Sequence, residues 1–130
     1  MQKSALLPAL FIANATVLFV HQIDAAYWHE WELFHIPGGN QVNLLLNLPI
    51  IALVLIAYRE AVLGTKYARS AHTLLACLGL LTVFLHSAFF AFGSTKFLQP
   101  VSIALLVSTA LLSIAQLICL QDYRDESQSN

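Results

Sequence analysis

Four apolar runs of about membrane-spanning length take up most of this sequence and leave little choice of fold. They are Ala5 to Ile23, Val42 to Ala57, Ala71 to Phe92 and Phe97 to Leu120. A helix of about 20 apolar residues crosses the hydrocarbon core of a bilayer. Strands would give shorter runs with alternating polarity, which these lack. Tyr58-Arg59-Glu60 and Gly64 close the second run, and Gly93 closes the third. Gln99-Pro100 opens the fourth, where a first-turn proline is tolerated. Pro8 and Pro49 fall inside runs, as membrane helices allow. The expectation is an all-α, four-helix transmembrane bundle, a single domain over 1–130. Its helices cover about 5–35, 41–63, 70–92 and 97–120, with an interfacial extension after the first and a polar tail over 121–130.

Composition excludes the main alternative. Apolar residues make up 58% of the chain and charged residues 10%, against about 45–50% and 25% in a soluble domain. A soluble fold this small could not cover its surface with so few polar groups. A net charge of −1 leaves no basic surface for nucleic acid. Cys77 and Cys119 lie inside apolar runs and read as small buried hydrophobes without a disulfide framework. Ala13-Asn14-Ala15 resembles a signal-peptide cleavage site, but the run continues apolar through Val20, so the first run is read as a span.

Lysine and arginine in short loops set orientation. With four spans, Lys3, Arg59, Lys66, Arg69 and Arg124 share one side and only Lys96 is on the other. That distribution predicts a multi-pass protein of the cytoplasmic (inner) membrane with both termini cytoplasmic. Tyr27, Trp28, Trp31, Phe34, Phe89, Phe90, Phe92 and Phe97 then cluster on the outer side, at the headgroup level that such rings favour.

The outer end of the first run holds His21-Gln22-Ile23-Asp24 and, further on, His29-Glu30-Trp31-Glu32 and His35. If residues 14 to 35 form one helix at about 100° per residue, Asn14, His21, Asp24, Trp28, Glu32 and His35 share about 80° of arc. Glu30 then falls on the opposite face and His29 at the edge. Such a stripe faces the bundle, because titratable groups in contact with lipid are costly. His21 lies about 16 residues from the inner end of its helix and His86 about 15 from the inner end of the third, roughly 24 Å in each case. Asn43 and Asn47 reach a similar level from the second helix.

Two imidazoles and a carboxylate suit zinc or another divalent first-row metal, with one position left for water. The candidate ligands are therefore His21, Asp24 and His86, with Asn43 and Asn47 behind them. Glu32 and His35 are outer contributors or a second site. The same trio without metal would suit proton relay, with Asp24 orienting an imidazole. The competing reading is structural: His21 and Asp24 bond only each other, and the polar stripe mediates helix association. His72 reads as an interfacial residue at the inner start of the third helix. Ser102, Thr109, Ser113 and Gln116 on one face of the fourth read as packing, as do Gly79 and Thr82 on the third. No nucleophile elbow, phosphate loop, dinucleotide motif or haem attachment motif occurs.

His21-x-x-Asp24-Ala25, His29-Glu30-Trp31 and Leu85-His86-Ser87 together resemble a family of short bacterial integral membrane proteins of unknown function. The resemblance covers nearly the whole chain and implies four membrane helices. The family's last hairpin carries further histidines, which SAFFAFGSTKFLQP lacks. A weaker likeness is to the HXXEE membrane domain, although here His21 is followed by a single acid. Neither resemblance implies an activity. The functional expectation is a membrane-embedded His/Asp site, suited to a metal and opening outward. If it is catalytic, it suits hydrolysis or proton transfer on a lipid-soluble or periplasmic substrate. The alternative is a non-enzymatic subunit whose partners are other helices, in a homo-oligomer or larger membrane complex.

Overall fold

A computed structural model describes residues 3–128, with side chains described for 6–122. The elements are α1 (Lys3–Tyr27), α2 (Glu30–Leu33), α3 (Gly39–Leu63), α4 (Ala68–Ala91) and α5 (Pro100–Gln128). Among the described residues there is no strand. Four helices are long and apolar enough to cross a membrane: Leu6–Tyr27, Gly39–Leu63, Ala68–Ala91 and Pro100–Asp122. Leu45, Ile56 and Leu111 are each about 60% exposed, like many other large apolar side chains on the outside of the bundle. A surface of that kind is solvated by lipid, and the protein is a multi-pass membrane protein.

The helices pack through small side chains. Phe11, Ala15 and Leu18 of α1 meet Val54, Ala57 and Ala61 of α3 and Ala71 and Leu75 of α4. The three- and four-residue spacings put each set on one helix face. On the other side of the bundle α5 closes against α1 and α4. A Cβ at Gly79 would collide with Ser113 Oγ and come within 3.1 Å of Thr109 Cγ2, so glycine sets the approach of α4 to α5. Lipid gives helices no hydrophobic reason to associate, so close packing and polar bonds hold them together. Asn14 Nδ2 donates to Ser113 Oγ (3.1 Å) and to Gln116 Oε1 (2.9 Å), and Gln116 Nε2 lies 2.9 Å from His72 Nδ1. The polar face of the last helix thus binds α5 to both neighbours. His72, near the start of α4, faces the bundle and is buried within this network, because Gln116 reaches it from α5. Cys77 is exposed on the outside of α4 and not buried, and Cys119 is half-buried.

Three boundaries differ from the sequence reading. The first helix stops at Tyr27 and does not run to about residue 35, because His29 adopts a left-handed conformation (φ 55°) that ends the α-helical path. The last helix starts at Pro100, because Phe97 is also left-handed (φ 65°) and belongs to the preceding loop. The helix then continues to Gln128, through residues read as a polar tail, while 129–130 lie outside the described residues. Gly38 (φ 109°) turns the chain into α3. A Cβ there would collide with Val42 Cγ2, so the turn needs glycine.

Candidate metal centre

Between Tyr27 and Gly39 the chain folds back over the end of the bundle. Trp28 N–H still bonds Asp24 O at 3.0 Å, and then His29 breaks the helix. The Trp28 indole N–H donates to Ser102 Oγ at 3.4 Å, which ties the break to α5. The single turn α2 follows, and His35 (φ 56°) leads out of it. This break redirects Glu30. On an unbroken helix Glu30 would face away from His21, whereas after the left-handed residue its carboxylate points back into the bundle.

His21, Glu30 and His86 each present a ligand atom, and the three atoms lie within 4.8 Å of one another. His86 Nε2 is 3.6 Å from Glu30 Oε1. The His21 and His86 rings meet edge to face, with centroids 4.7 Å apart, and both residues are 1% exposed. Donor atoms around a tetrahedral zinc at ordinary bond lengths lie about 3.3 Å apart, so small side-chain rotations would bring the three into a coordination sphere.

The surroundings support that geometry. His86 Nδ1 lies 2.9 Å from the Thr82 carbonyl and donates to it, which leaves the Nε2 lone pair facing Glu30. Metal-binding histidines are commonly oriented this way. His21 has no partner at either ring nitrogen, and His86 Nε2 has none. Buried polar atoms at membrane depth are seldom left so. Burial, and then the charge of nearby Asp24, pushes the Glu30 carboxyl up to about 7. Phe97 covers the pair from the α4–α5 loop, its ring centroid 4.4 Å from His86 and 5.8 Å from His21.

The sequence-predicted residues divide clearly. His21 and His86 come together. Asp24 lies one turn beyond His21, with Oδ2 buried and unpartnered, but its carboxylate is outside the converging group. Glu30 occupies the position the sequence reading gave to Asp24. Asn47 Nδ2 donates to Asn43 O (2.9 Å) and Oδ1 (3.1 Å), and both asparagines line a cavity with His21 and Glu30. Glu32 turns outward, accepts from Lys96 Nζ at 2.9 Å and lies 3.5 Å from His29. The Lys96 hydrogen bond holds its carboxyl below the usual range. His35 is exposed. Glu32 and His35 therefore form no second cluster; among the described residues His21, Glu30 and His86 are the one such group.

Sequence reasoning missed Glu30 and Phe97. A fixed 100° per residue holds only while the helix continues, and nothing in Tyr27-Trp28-His29 forbids continuation. The available signal was the Pro37-Gly38-Gly39 turn, which leaves the preceding residues short of a full membrane crossing.

Four membrane-crossing helices around one buried group of two histidines and a glutamate define a small multi-pass membrane protein with a candidate metal centre. The chain belongs to the family of unknown function DUF6713, whose family model matches residues 7–123. No curated protein and no solved structure matches it.

Proposed function

We propose that the protein binds a divalent first-row metal, with zinc the best fit, through His21, His86 and Glu30. The convergence of three ligand atoms within 4.8 Å, two of them on unpartnered buried imidazoles, carries this reading. Nitrogen and carboxylate donors suit such a metal, and three protein donors leave a position for water or substrate, as in hydrolytic centres. His86 holds its orientation through Thr82. A bound metal would hold the Glu30 carboxyl deprotonated, so binding would displace the proton that burial keeps on it in the metal-free site. Phe97 limits water from the loop side. The charge distribution of the loops supports both termini in the cytoplasm and the centre in the outer half of the cytoplasmic membrane. The reaction class that fits best is hydrolysis or proton transfer.

Cobalt(II) titration of chelator-treated protein tests this. Saturable ligand-field absorption at about one equivalent is expected, and it should be absent in His86→Ala. No absorption in wild type would overturn the reading. A separate observation favours packing for the stripe on α5: Asn14, Ser113, Gln116 and His72 satisfy one another within the chain.

A further inference from the structure

The cavity beside the three-residue group is open toward lipid, not toward water alone. It has a volume of about 240 Å³ and runs from His21, Glu30 and Asn47 down to Leu46 and Ile50 of α3 and Leu81 of α4. Those last three side chains line the cavity and are also exposed on the outside of the bundle. Leu46 lies about 10 Å and Ile50 about 16 Å along α3 from its outer start, and Leu81 about 15 Å from the outer end of α4. The mouth therefore opens between α3 and α4 within the hydrocarbon layer. Its inner end is polar and lacks partners. Asn47 Oδ1 and the ring nitrogens of His21 are buried without hydrogen bonds. Two of these three atoms accept hydrogen bonds, since a neutral imidazole keeps one acceptor nitrogen, and the Glu30 carboxyl lines the same cavity.

We propose that the cavity binds a single-chain amphiphile from the outer leaflet, with a neutral, hydrogen-bond-donating head such as a hydroxyl or amide N–H. The head reaches Asn47 Oδ1 and the His21–Glu30 group, and the chain leaves between Leu46, Ile50 and Leu81. At roughly 30 Å³ per water the cavity holds about eight waters' volume. That is room for a head and its first methylenes, with the rest of the chain in lipid. In metal-free protein an anionic head would meet the Glu30 carboxyl and is disfavoured. This names the substrate class of the proposed metal centre and rests on that reading only for the chemistry: Asn47 Oδ1 takes the head whether or not a metal occupies the histidines, and the discrimination against anionic heads applies to metal-free protein.

The test is photo-crosslinking of full-length protein in nanodiscs with a long-chain alcohol carrying a diazirine on its chain. Labelled positions are mapped by mass spectrometry, and zinc is measured in the same sample. Labelling is expected to concentrate at Leu46, Ile50 and Leu81, and unlabelled alcohol should compete it away. In metal-free protein the matching fatty acid and lysophosphatidic acid should compete about tenfold less well. Asn47→Leu, which keeps the volume and loses the acceptor, should weaken competition by a similar factor while helix content stays at the wild-type level. Uniform labelling that also covers the outward-facing Leu45 and Ile56, and that no competitor reduces, would overturn the proposal even if zinc is present. Equal competition by the anionic amphiphiles would overturn the neutral head. Focused, competed labelling without zinc would leave this proposal standing and remove the metal reading.

Discussion

Glu30 Oε1 lies 3.6 Å from His86 Nε2, although an unbroken first helix would have turned Glu30 away from the bundle. The left-handed His29 makes the difference. The site therefore depends on a local backbone break as much as on the residues that compose it.

The break can be tested at His29. A β-branched residue is poorly accommodated at φ 55°, so His29→Ile should cost about 1–2 kcal/mol and draw the chain back toward helix. Glu30 would then leave the cluster and metal affinity should fall. His29→Gly should keep both. Equal metal affinity in His29→Ile and wild type would contradict the role given to the break.

Glu30 also sets a pH dependence. Its carboxyl titrates at about 7 in the fold against an ordinary 4.5. The folded state holds a proton that the unfolded chain releases, so this contribution to stability is fully present below 4.5 and is lost as pH rises through about 7. For metal-free protein in detergent, the unfolding midpoint should decline across that window, and Glu30→Gln should reduce the decline. Infrared difference spectra give a direct check. A protonated-carboxyl band at about pH 5.5 should be gone by about pH 8.5 and be missing in Glu30→Gln. A band untouched by that substitution would contradict the assignment.

Packing of α4 on α5 depends on Gly79. Gly79→Val would place methyl groups where Ser113 Oγ and Thr109 lie, with an expected loss of about 2 kcal/mol or more. A denaturation series in mixed micelles measures it. A stability equal to that of wild type would mean that α5 does not pack as described.

Topology follows from the loop charges. Reporter fusions after Asn130 should read as cytoplasmic, and fusions near Gly38 should read as outside. The opposite pattern would place the centre on the cytoplasmic side.

The four helices were legible because membrane length and apolarity are properties of whole runs, which a single residue cannot disturb. The pairing of His21 with His86 was legible for a related reason: two parallel helices with imidazoles at equal depth bring them to one level. Glu30 was not legible. Its direction depends on one residue, His29, whose conformation no periodicity reveals. Phe97 was read as part of the last helix because it is apolar and precedes an apolar run. Its left-handed backbone and the proline at position 100 put it in a loop aimed at His86. Depth along α4 could be read for His72, but not its direction, and only the Gln116 contact shows why it is buried.

Elemental analysis of protein purified after zinc equilibration reads whether His21, His86 and Glu30 together hold a metal. About one zinc per chain is expected in wild type. His21→Ala, His86→Ala and Glu30→Ala should each retain almost none while eluting as folded protein, and Asp24→Asn should retain most of it. Zinc content equal in wild type and all three alanine variants, or no zinc in wild type, would mean that these three residues hold no metal.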